Sequence, residues 1–145
     1  MIPTEAQSLT EAIAVWVRAS SGLRALALVG SWFRGTARPD SDLDLLILAN
    51  NPEQYQSDQN WLYQIALPDP FRVISSKSVP YGVVWSCHAL LDPAAELELT
   101  FGALDWASTD PIDAGSRRVI SDGFRMIVDK DGRLQRIVDA VKKST

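Results

Sequence analysis

The sequence predicts an α/β (α+β) chain built on a mixed β-sheet flanked by helices, and three observations lead there. Segments of helical apolar spacing alternate with short apolar runs of strand length, in the order helix, strand, turn, strand, helix and further strands. The run Leu43–Leu48 is apolar enough to be covered on both faces. Ala95–Phe101 alternates, placing Leu97, Leu99 and Phe101 on one side and Glu96, Glu98 and Thr100 on the other. At 145 residues the chain is read as one domain, 1–145, long enough to bury about two thirds of its unfolded surface.

Ser8-Leu9-Thr10-Glu11 reads as a capping box that opens a helix carrying Leu9, Ile13, Trp16 and Val17 on one side and closing at Ser21-Gly22. Ala25–Val29 is the first strand, and a short helix is expected over Ser31–Gly35. Asp42–Leu48 is the second strand, followed by a helix begun by Pro52 and running through Trp61 to Ile65. Strands are expected at Arg72–Ser75, Tyr81–Leu91 and Glu96–Phe101. Arg117–Val128 reads as two strand-like pieces around the Asp122-Gly123 turn, and Asp131–Lys142 as a final helix with Leu134, Ile137, Val138 and Val141 inward.

The chemistry is concentrated between Ala27 and Leu48. Gly30-Ser31 forms a turn one loop ahead of Asp42 and Asp44, which at i and i+2 share a face of a strand about 7 Å apart. Mg²⁺ takes oxygen ligands and is commonly held by one or two carboxylates together with substrate phosphates, so this pair forms half of a metal cage. Gly30 lets a phosphate approach the backbone, and Ser31 can cap the short helix or donate to a phosphate oxygen. Asp40, after Pro39, reads as a turn residue. Asp44 does not, because a lone carboxylate inside an apolar strand costs several kcal/mol, to order of magnitude, unless it is paired or metal-bound.

Gly30, Ser31, Gly35, Ser41, Asp42 and Asp44, with a ten-residue spacer from 32 to 41, resemble the nucleotidyltransferase superfamily that includes DNA polymerase β and the aminoglycoside adenylyltransferases. The resemblance implies the nucleotidyltransferase fold with its metal face open. It also implies transfer of a nucleoside monophosphate, most readily AMP from ATP, onto a hydroxyl of a small molecule or protein, with release of pyrophosphate and with paired Mg²⁺ ions in the family manner. It further implies a third acid on a neighbouring strand. Glu96 and Glu98 both qualify by alternation, and the later Trp106-Ala107 pattern of small bacterial members selects Glu98 as the third ligand. Asp42, Asp44 and Glu98 are thereby the expected metal and catalytic residues, and Gly30, Ser31, Arg34 and Ser41 the expected nucleotide-binding residues. No segment after the last helix corresponds to the second helical domain of the antibiotic-modifying members, so acceptor and general base are unassigned. The resemblance accordingly leaves open a homodimer, a separately encoded partner, or a non-catalytic, antitoxin-like nucleotide-binding regulator; the expected interface lies around Trp106 and the Asp131–Lys142 helix.

The net charge of −4 disfavours a nucleic-acid partner. One cysteine, Cys87, precludes an intramolecular disulfide, and one histidine, His88, cannot complete a tetrahedral zinc site with it. Both read as residues on alternate sides of a strand. The N-terminus lacks the basic and apolar segments of a signal peptide, and no apolar run reaches the length of a membrane span, which leads to the expectation of a cytoplasmic protein. The tryptophans Trp32, Trp61, Trp85 and Trp106, with Phe33, read as packing material before base-stacking platforms.

Overall fold

Helix α1, Pro3–Ala19, begins five residues before the expected capping box. Pro3 supplies a preset φ at the first helical position, and the Glu5 carboxylate accepts the Ile2 N–H at 2.8 Å. The extra turn is fixed by burial: Ala6 joins Leu9, Ile13 and Val17 on the inward face. The structure, a computed structural model, describes residues 1–144.

After α1 come β1 (Leu23–Val29), the short helix α2 (Gly30–Arg34) and β2 (Leu43–Ala49). The helix expected from Pro52 to Ile65 is instead two pieces, α3 (Pro52–Ser57) and α4 (Trp61–Gln64). The Asp58 carboxylate takes the Asn60 N–H at 3.0 Å, a local bond that competes with helix continuation. Strand β3 runs Arg72–Tyr81, well beyond the expected Ser75, and pairs with β4 (Val84–Asp92) across the two-residue turn Gly82-Val83. Its middle, Ser75 to Ser78, is an exposed edge segment that has no apolar alternation to announce it.

Strand β5 (Ala95–Ala103) leads into a 3₁₀ turn at Leu104–Ala107. The residues expected to make a strand at Arg117–Ser121 form helix α5 (Ala114–Asp122). Local polar bonds outweigh the β-branched pair Val119-Ile120 there. The Asp113 carboxylate accepts the Ser116 N–H at 3.0 Å as an N-cap, and the buried Ser116 hydroxyl donates to the Trp106 carbonyl at 2.6 Å. Gly123 closes α5, and β6 (Arg125–Asp129) and α6 (Arg133–Lys143) complete the described fold.

The six strands lie in the order β3-β4-β5-β2-β1-β6. Only β2 and β5 pair in parallel; the other neighbours are antiparallel, so the sheet is mixed as expected. One face packs Leu26, Leu43, Leu45, Ile47, Leu97, Leu99 and Phe101 against α1, α3 and α4. Within that core Trp85 stacks on Phe101, centroids 4.7 Å apart, and Trp61 lies against both Trp16 and Phe101. Part of the opposite face packs Ala25, Ala27, Leu46 and Leu48 against Trp106 and against Leu134, Ile137 and Val141 of α6. Trp106 and the apolar face of α6 lie within the chain's own core, while Gln135, Arg136 and Asp139 leave the outer face of α6 exposed. No helix among the described residues is long and apolar enough to cross a membrane.

Candidate functional site

The pleat of β2 decides where its acids point. Leu43, Leu45 and Ile47 enter the α1-side core, so the intervening Asp44 shares the other face with Leu46 and Leu48. The parallel register sets Asp44 opposite Glu98 and Leu46 opposite Thr100. One carboxylate oxygen from each of Asp42, Asp44 and Glu98 lies within 4.8 Å of the others, and all three residues are half-buried. No other cluster of this kind forms among the described residues.

Three features of Asp44 mark the strain in that arrangement. Its Oδ1 is buried without a hydrogen-bond partner. Its carboxyl is pushed up to about 8, first by burial, then by Glu98 and by the charge of Asp42, while the Arg34 guanidinium pulls the other way. The third is at Gly30, which sits at φ +75, where a Cβ would overlap Asp44 Oδ2. Glycine is required there twice over, for its backbone angle and for the room it leaves beside the carboxylate.

The remaining expected residues surround this cluster. Ser31 opens α2 directly after Gly30, and its carbonyl accepts the Thr36 N–H at 3.1 Å. Arg34, exposed at the end of α2, is near enough to act on Asp44 electrostatically. Ser41 closes the preceding loop: its hydroxyl accepts the Arg38 N–H at 2.8 Å, and its carbonyl accepts the Trp32 indole N–H at 3.3 Å. Asp40 is exposed and takes no part in the acid cluster.

Glu96 lies outside the three-acid group but faces Asp42, whose hydrogen bonding and charge raise its carboxyl against the opposing pull of His88 and Lys77. His88, read from the sequence only as a strand residue, borders the acid cluster. It stands opposite Glu98 on β4, with Nε2 3.5 Å from Glu98 Oε1, too long and misaligned for a hydrogen bond. Its neighbour Cys87 turns into the opposite core, where burial pushes the thiol up to about 11. Alternation along β4 was readable from the sequence; the register that brings His88 beside Glu98 was not.

The acid cluster lies between two cavities on this face. One, of about 300 Å³, is lined by Asp42, Ser75, Lys77, His88, Leu90 and Glu96. The other, of about 270 Å³, is bounded by Val29, Leu46, Val84, Thr100, Trp106 and Val119. Trp61 and Trp85 are on the far side of the sheet and serve packing.

A nucleotidyltransferase domain model matches residues 15–80, a span that holds Gly30, Ser31, Asp42 and Asp44 and stops short of Glu98. A search of curated proteins found no match. Among solved structures, an aminoglycoside 6-adenyltransferase from Bacillus subtilis is similar in fold, with a TM-score of 0.55 at 14% identity. The likeness covers 72% of this chain and 37% of that one, so the chain spans well under half the length of this neighbour. The matched span carries the glycine-serine turn and the Asp-x-Asp strand, here seated in a six-stranded mixed sheet beside a third acid, and over these residues the chain is similar to the nucleotidyltransferase family.

Proposed function

We propose that the protein is a metal-dependent nucleotidyltransferase that moves a nucleoside monophosphate, most readily AMP from ATP, to an acceptor hydroxyl and releases pyrophosphate. The observation that carries this reading is the convergence of Asp42, Asp44 and Glu98 on one point, with Asp44 Oδ1 buried and unpartnered. At an effective dielectric constant of about 20, two carboxylate charges at such a separation repel by roughly 3 kcal/mol. A divalent cation reverses the sign of that interaction.

The residues present fit Mg²⁺. The donor set is three carboxylates with no thiol or imidazole among them, which suits a hard cation. Asp42, Asp44 and Glu98 would hold it, and when bound it supplies positive charge to phosphate oxygens and acidifies an acceptor hydroxyl. The backbone at Gly30 and the Ser31 hydroxyl bind the β- and γ-phosphates, Arg34 adds a cationic contact, and Ser41 shapes the loop that leads into Asp42. The acceptor oxygen bonds to the α-phosphorus as the bond to the pyrophosphate oxygen breaks, and the hydroxyl proton leaves to solvent. The aminoglycoside 6-adenyltransferase shares the fold alone, and the acceptor is a hydroxyl of a small molecule or of a protein.

Incubation of the protein with each α-labelled nucleoside triphosphate, Mg²⁺ and a cell extract tests the reading, with label followed onto metabolites and macromolecules. Label transfer that disappears in Asp44→Ala is the expected result. Absence of transfer from every nucleotide, with no Mg²⁺-dependent nucleotide binding, overturns it.

A further inference from the structure

We propose that the 270 Å³ cavity between the sheet and α5 receives the nucleobase of the triphosphate, an assignment that rests on the nucleotide reading above. Position is the first argument. Leu46 and Thr100 each stand two residues beyond Asp44 and Glu98 on the same face, opposite one another across the β2–β5 ladder. Two strand residues advance about 7 Å, the reach of a ribose from an α-phosphate held at the acids. Val29, which also lines the cavity, precedes Gly30 directly and pairs with Asp44, so the cavity reaches the residue that leads into the glycine-serine turn.

Lining is the second argument. Val29, Leu46 and Val84 of the sheet, Trp106 of the 3₁₀ turn and Val119 of α5 line it, giving a mostly apolar cavity that suits a nucleobase ring. Two of its polar members, Thr100 and Asp113, are already engaged, while Tyr81 brings a phenol to the lining. Thr100 Oγ1 is 2.7 Å from Ser86 Oγ, and Asp113 Oδ2 accepts the Ser116 N–H at 3.0 Å. The neighbouring cavity has the opposite character, with Asp42, Glu96 and Lys77 in its wall, and none of its lining residues comes from the turn at 29–35. It is the side left for a polar acceptor.

The test compares Mg²⁺-ATP with Mg²⁺-tripolyphosphate by calorimetry on the full chain, in the wild type, Val119→Trp and Val84→Trp, two fillings from opposite walls. Wild type is expected to bind ATP at least about tenfold more tightly than tripolyphosphate. Each folded variant is expected to lose that advantage while holding tripolyphosphate within about twofold of wild type. Equal wild-type affinity for the two ligands, or variants that keep full ATP affinity, overturns the base assignment and leaves the phosphate site standing. A wild type that binds neither ligand overturns the nucleotide reading itself, and this inference with it. Should both tryptophan variants fail to fold, equal wild-type affinity for the two ligands still overturns the assignment.

Discussion

Asp44 and Glu98 are direct neighbours across the one parallel ladder of the sheet, and their pairing turns two strand residues into a charge trap. The energetic consequence is that the acid face is destabilised when fully ionised. Each of the following outcomes tests a part of that statement or of the fold around it.

Asp42→Ala and Asp44→Ala are each expected to abolish Mg²⁺-dependent nucleotide binding, because the remaining acids must hold a doubly charged ion with fewer oxygens. Isothermal calorimetry with ATP and Mg²⁺ checks this. Unchanged affinity in both variants contradicts the ligand assignment.

Stability without metal should fall as pH rises. The Asp44 carboxyl is raised from 3.8 to about 8, so the folded state holds a proton that the unfolded state has lost. The associated stability is fully present below about pH 4 and is lost as pH rises through about 8. Denaturant melts of Asp44→Asn should show a flatter profile over that window and a midpoint at or above wild type near pH 8. A clear drop in midpoint would give Asp44 a structural partner that the fold does not show.

Mg²⁺ binding below pH 8 must displace the Asp44 proton. Affinity is therefore expected to rise with pH toward about 8 and then level. Calorimetry in buffers of different ionisation enthalpy should record proton release at pH 6.5–7, a working range chosen about one unit below that midpoint. Binding with no proton release would place the ion elsewhere.

Gly30→Ala should damage the site and the fold together. The new methyl overlaps Asp44 Oδ2, and φ +75 is a backbone angle that an L-residue adopts at a cost of about 1–2 kcal/mol. Loss of nucleotide binding together with a lowered melting temperature is expected. Gly35→Ala provides the control: it carries a similar φ of +73, but a methyl added there meets nothing within 4 Å, so only stability should suffer.

Asp113→Ala removes the side chain that caps α5, and about 1 kcal/mol of stability should go with it. Urea melts read the loss. An unchanged midpoint would show that the Ser116–Trp106 bond alone holds the start of this helix.

Much of this was determined locally, by the chain itself. Gly30-Ser31 and Asp42-x-Asp44 carry their meaning in sequence because turn chemistry and strand alternation act over a few residues. The same is true of the inward faces of α1 and α6, except for Val138, which is only half-buried, and of the alternation that sends Cys87 and His88 to opposite sides of β4. Where local signals conflicted, a local cap or the tertiary context decided between them. Val119-Ile120 lies in a helix because Asp113 and Ser116 bond their surroundings, and the polar segment Ser75–Ser78 is a strand because β4 offers it a ladder. The gathering of Glu98 with Asp42 and Asp44, the placing of His88 beside it, and the two cavities that flank the acids depend on strand order and register. Those are set by hydrogen bonds between segments distant from one another in the chain, and no short-range pattern encodes them.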